Sequence, residues 1–177
     1  MLGSNFVPHS DFSEEDRNKT SDITASEERT TRGSRQKEPM HLKRILVVDD
    51  NADIAIRLKE GLEMYNRYHH YHDNDDQIKF EAYVYNHPLL ALSQFKPNFY
   101  DLALINTNMP KLNGFQLCES IMQLDVDVKV CFMYTAEEEL NIESLREVYP
   151  KAMFGCFIEK PFTIEHLVQR LLEALDR

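Results

Sequence analysis

Five short apolar runs, each stopped by a polar residue, constrain this chain more than any other feature. They occupy residues 44–48, 78–85, 102–105, 128–134 and 153–158. Several carry no polar alternation, which marks strands covered on both faces. Between and after them, apolar residues recur at helical spacing: Ile54, Leu58, Leu62 and Tyr65; Leu89, Leu90 and Leu92; Phe115, Leu117, Ile121, Met122 and Leu124; and Ile164, Leu167, Val168, Leu171, Leu172 and Leu175. Glu137, Glu138 and Glu139 are expected in the first turn of a further helix, where negative charge suits the positive end of the helix dipole. Strands alternating with helices specify an α/β fold, a doubly wound five-stranded parallel sheet with helices on both faces.

In a parallel sheet every strand ends at the same edge, and open α/β sheets place their chemistry there. Asp49 and Asp50 follow the first run, Asn106 the third, Thr135 the fourth and Lys160 the fifth. The central segment 101–114 is the clearest case. Its apolar run breaks at Asn106-Thr107-Asn108-Met109-Pro110, because Pro110 lacks an amide hydrogen and pushes Met109 into an extended conformation. Asn113-Gly114 predicts a turn before the next helix. Asp50 or Asn51 is placed to cap the first helix, and Thr163 the last.

Composition narrows the function classes. The 177 residues carry a formal charge of −10, which argues against a nucleic-acid surface, since phosphate contacts need clustered Lys and Arg. No uncharged apolar run is long enough to span a bilayer, so no membrane association is expected and the location expected is cytoplasmic. Cys118, Cys131 and Cys156 read as reduced core residues. Residues 1–41 are rich in Ser, Thr and charges of both signs without aliphatic periodicity, so a disordered tail is expected, with the domain over 42–177. The polar connection 67–76 holds His69, His70, His72, Asp73, Asp75 and Asp76 in a spacing that matches no defined metal site, and reads as a solvated loop. The chain ends two residues after its last apolar anchor, so no output domain is expected to follow.

The combination Asp49-Asp50, Asn106-x-x-Met-Pro-x-x-x-Gly114, Thr135-Ala136 and Lys160-Pro161-Phe162 resembles the receiver domain of two-component response regulators, in particular stand-alone regulators of the chemotaxis type. The resemblance implies a flavodoxin-like (βα)5 fold with strand order 2-1-3-4-5. It implies a magnesium ion held by Asp49, Asp50, the side chain at position 106 and the backbone carbonyl of Asn108. Thr135 would be the switch hydroxyl, Lys160 the phosphate-binding cation, Phe157 the switch aromatic, and the Lys160–Pro161 bond cis. The implied partners are a sensor histidine kinase or phosphotransfer protein and a downstream signalling protein, docked on the face of the fourth helix, fifth strand and fifth helix. No enzymatic output is implied.

One position departs from the family. The phospho-acceptor aspartate is here Asn106. An acyl phosphate requires a carboxylate nucleophile, and the amide nitrogen's lone pair is delocalised into its carbonyl, so phosphorylation is expected to fail. Losing one negative charge is also expected to weaken magnesium. Asn106 is either a native feature of a phosphorylation-independent binding module, a pseudo-receiver, or an altered acceptor. Two other classes compete with this reading. A purely structural module would keep these residues as loop caps only. An aspartyl-phosphate phosphatase of the haloacid dehalogenase type would use Asp49 or Asp50 as nucleophile, but it needs an acidic motif beyond Lys160, where only helix-forming residues remain.

Overall fold

The structure is a computed structural model that describes residues 41–69, 78–152 and 154–176. Ten elements alternate along it: β1 (His41–Val48), α1 (Ala52–His69), β2 (Ile78–Tyr85), α2 (Pro88–Ser93), β3 (Leu102–Asn106), α3 (Gly114–Leu124), β4 (Lys129–Thr135), α4 (Ile142–Val148), β5 (Phe157–Lys160) and α5 (Ile164–Leu175). The strands form one parallel sheet in the order β2-β1-β3-β4-β5. This is the expected order. Consecutive residues Ile45 to Val48 on β1 and Leu102 to Ile105 on β3 are fully buried, because helices cover both sides of the sheet's centre.

Two apolar layers result. On one face, Leu58 and Leu62 of α1 and Leu167 and Leu171 of α5 pack on Ile45, Val47, Leu102 and Leu104. On the other, Ala91 of α2 and Phe115, Leu117 and Ile121 of α3 pack on Leu46, Val48, Ala103 and Ile105. Residues adjacent on a strand feed opposite layers, as the strand's period of two requires. The exposed edge of β2 is closed at Phe80 by the Asn66 side chain, which accepts from the Phe80 N–H (2.9 Å) and donates to its carbonyl (2.7 Å).

Several expected boundaries shift. His41, assigned to the tail, is the first residue of β1, because four residues of β1, His41 to Arg44, pair with β2 before β3 joins at Ile45. Helix α1 continues through Arg67, Tyr68 and His69, which had been placed in the polar connection. Glu137, Glu138 and Glu139 are not in a helical turn. Asn141 caps α4 by accepting from the Ser144 N–H, and the glutamates lie in the loop before it. Strand β5 starts at Phe157 rather than 153. Asn51 is the residue that caps α1, accepting from the amides of Asp53 and Ile54. The Lys160–Pro161 bond is cis.

The cysteines also differ from the expectation. Cys131 of β4 and Cys156 form a disulfide, with Cα atoms 4.5 Å apart on neighbouring parallel segments, while Cys118 is buried outside it. Sequence distance hid the pairing: the two are 25 residues apart and meet only when β5 docks on β4. The tail through residue 40 and the His/Asp-rich residues 70–77 lie outside the described residues. No described helix is long and apolar enough to cross a membrane.

Candidate functional site

The carboxyl edge of the sheet gathers four polar side chains from three strands. Asp49 directly follows β1, with its amide donating to the Tyr85 carbonyl (3.1 Å) and its side chain almost fully buried. Its Oδ1 accepts from the Asn51 amide (3.0 Å). Its Oδ2 accepts from Lys160 Nζ at 2.6 Å. A buried carboxylate is tolerated only when paired and hydrogen-bonded, and Asp49 meets both conditions.

Asn106 ends β3 and is 7% exposed. Its partners fix the orientation of the amide. Lys160 can only donate, so it takes Oδ1, at 3.0 Å. The Asp50 carboxylate and the Asn108 carbonyl can only accept, so both face Nδ2, at 3.0 and 2.9 Å. Both amide protons are therefore used within the site. Asp50 itself is exposed.

The loop after β3 is held by a feature the sequence reading only partly anticipated. The left-handed residue of the turn is Lys111 (φ 70°), while Asn113 begins α3 with a reciprocal capping box to Gln116. Gly114 is needed for proximity: a Cβ there would run into the backbone carbonyl oxygen of Asn106 and lie 3.0 Å from the Thr107 Cα. The close approach lets the Gly114 amide donate to the Thr107 carbonyl (2.8 Å) and tie the start of α3 to the site.

Thr135 ends β4 and stands opposite Lys160 in the strand register. Its amide donates to Glu138 Oε1 at 3.0 Å, and its hydroxyl lies 3.4 Å from the same oxygen. Thr107 and Glu138, neither expected in the site and the latter expected in a helical turn, meet here at 2.6 Å. Their local signals were the position beside Asn106 and the spacing of three from Thr135. Phe157 is half-buried in an aromatic cluster, 5.4 Å from Phe132 and 6.3 Å from both Phe154 and Tyr134. Burial, and then the hydrogen bond to Glu159, push the Tyr134 phenol above its ordinary range.

Residues 45–172 match the family described as the response regulator receiver domain. The chain belongs to that family. The receiver is 30% identical over 132 residues to the heme response regulator HssR of Staphylococcus saprophyticus, covering 75% of this chain and 51% of the relative. It is 28% identical over 134 residues to the transcriptional regulatory protein PrrA of Mycobacterium bovis, covering 76% and 50%. The chain thus spans about half the length of the curated relatives it matches. Among solved structures it resembles a CheY-like receiver domain from Methanospirillum hungatei (TM-score 0.55, 24% identity, 76% of this chain and 94% of that one). A receiver domain from Clostridium thermocellum is similar in fold (TM-score 0.57, 19% identity, 76% and 95% covered). Receivers are in general signalling modules rather than enzymes.

Receivers typically bind magnesium at the acidic pocket, and the oxygen donors here fit a hard cation. Asp50 Oδ1 and the Asn108 carbonyl lie within 3.0 Å of one common atom, Asn106 Nδ2, so both oxygens converge on one point. That atom is a hydrogen-bond donor, so a cation and the amide compete for the same oxygens. Among the described residues no trio of His, Cys, Asp and Glu is grouped to hold a metal.

Proposed function

We propose that this receiver works in a two-component pathway by docking to other proteins, and that Asn106 leaves it unable to accept a phosphoryl group. The supporting observation is the Asn106 amide, with both protons committed to Asp50 and Asn108 and its oxygen to Lys160. The group standing where a carboxylate nucleophile would stand has no full charge and no available lone pair on nitrogen.

The other positions keep their family roles in this reading. Lys160 and Thr135 are the groups for phosphoryl oxygens, and Phe157 is the aromatic that changes packing with the state of the pocket. Asp49, Asp50 and the Asn108 carbonyl would hold magnesium weakly, and Asn106 would join them only by turning toward the ion the amide oxygen that here faces Lys160. The weakness has a simple origin. Lys160 already neutralises Asp49, so Asp50 is the one carboxylate of the pair left to attract a cation. A bound ion supplies positive charge against the acidic pair. The upstream partner is a sensor histidine kinase or phosphotransfer protein. The downstream partner is a signalling protein that reads the face made by α4, β5 and α5.

Intact mass after incubation with acetyl phosphate and magnesium tests the reading. The unaltered protein stays at its own mass, and Asn106→Asp gains one phosphoryl group. An adduct on the unaltered protein overturns the missing-acceptor claim; none on Asn106→Asp overturns the pocket assignment.

A further inference from the structure

We propose that Glu138 is a resident anion for the two threonines beside the pocket, a latch that any phosphoryl-type ligand must displace. The proposal rests on the reading of this edge as a phosphoryl pocket.

The carboxylate bridges two loops. Oε2 takes the Thr107 hydroxyl at 2.6 Å, and Oε1 takes the Thr135 amide at 3.0 Å with the Thr135 hydroxyl 3.4 Å away. Thr107 is buried and directly follows Asn106; Thr135 is the last residue of β4. One glutamate therefore connects the segment leaving β3 with the segment leaving β4. The Thr107 hydroxyl has one proton and two acceptors in reach, the Met133 carbonyl at 3.0 Å and Glu138 at 2.6 Å. The nearer, charged acceptor takes it, because charge-assisted hydrogen bonds are shorter and about twice as strong. The Met133 carbonyl is already served by the Thr107 amide at 2.9 Å.

The loop is shaped to hold this carboxylate. The Glu138 amide donates back to the Thr135 carbonyl (3.0 Å), closing a turn that carries the side chain over its own strand end. Glu137 is held below its ordinary pKa, first by its own backbone amide and then by the Thr135 hydroxyl. The Thr135 end of the pocket, which an anionic ligand would need, thus already faces the chain's own Glu138 carboxylate. With no acid at position 106 to capture a phosphoryl group, Glu138 sets both loops without one.

Two measurements test the latch. In the Asn106→Asp background, beryllium fluoride with magnesium is titrated and followed by amide NMR shifts. Adding Glu138→Gln or Glu138→Ala tightens binding by about tenfold or more, the factor that corresponds to one charge-assisted hydrogen bond. The same changes at exposed Glu139 leave it unaltered. Unchanged or weaker binding with both Glu138 variants overturns the proposal. In the unaltered protein, Glu138→Ala speeds hydrogen exchange of the Thr135 amide by about tenfold relative to Glu139→Ala. Equal exchange also overturns it. If Asn106→Asp takes up no beryllium fluoride, the pocket reading fails, and the exchange measurement still decides the latch.

Discussion

Lys160 and Asp49, 111 residues apart, meet at 2.6 Å with side chains only 13% and 1% exposed. The pair joins the end of β5 to the end of β1 across the whole width of the site. Removing its cation strands a buried carboxylate. Lys160→Ala is expected to cost about 3–5 kcal/mol, and Asp49→Asn with Lys160→Met markedly less, because no charge is then left unpaired. Urea melts of the three proteins measure this; a double variant as unstable as Lys160→Ala would contradict it.

Asn106→Asp should show how the amide serves the fold. The acid would face Asp50 and the Asn108 carbonyl with an oxygen where two hydrogen bonds are now donated. Without magnesium the variant is expected to melt several degrees below the parent. Millimolar magnesium should restore it by RT ln(1 + [Mg]/Kd), about 2.7 kcal/mol at a hundredfold excess over Kd. The parent should respond far less to the same addition in a thermal melt.

Gly114→Ala is expected to cost about 1–3 kcal/mol, since its methyl group collides with the fixed Asn106 carbonyl. Gly61→Ala is the contrasting case. There the new methyl meets Cδ1 and Cγ1 of the Ile164 side chain, which can turn aside where the Asn106 backbone cannot, and helix propensity favours alanine by about 1 kcal/mol. Parallel denaturant titrations should rank Gly114→Ala well below Gly61→Ala.

Tyr100 is buried, and burial followed by the neighbouring Tyr85 raises its phenol pKa above the ordinary value of 10.0. The folded state therefore binds this proton more tightly than the unfolded chain. The resulting stability is fully present below about pH 10 and is lost as pH rises through the folded value. Tyr100→Phe should flatten the alkaline side of the stability curve, which chemical denaturation at stepped pH would reveal.

Cys131 and Cys156 close a loop with a sequence separation of 25. Reduction is expected to lower stability by about 3 kcal/mol on chain-entropy grounds. Alkylation in denaturant should modify one thiol before reduction and three after.

Much of this fold was legible because burial on both faces leaves an uninterrupted apolar strand. Leu102 to Ile105 and Ile45 to Val48 announce a parallel sheet, and Ile164 to Leu175 announces its helix down to the Thr163 cap. The illegible parts have tertiary causes. Helix α4 has no buried residue, its short stripe of Ile142, Leu145 and Val148 being half-buried at best, and acidic residues at 137–139 mimicked a helix start. Glu138 is instead drawn to threonines on two strand ends, a contact that local propensity does not encode. Residues Asp49, Asp50, Asn106 and Lys160 were readable because topology alone brings strand ends together. The pairing of Asp49 with Lys160, and the direction of the Asn106 amide, depend on distances that no spacing in the sequence conveys.

The amide at 106 carries an evolutionary consequence. Asparagine and aspartate have nearly the same shape, and the lysine, the acid and the carbonyl around position 106 are supplied by other parts of the chain. Passage between the two side chains therefore takes a single codon change and leaves the surrounding groups in place, with a bound cation offsetting the amide contacts that the acid gives up.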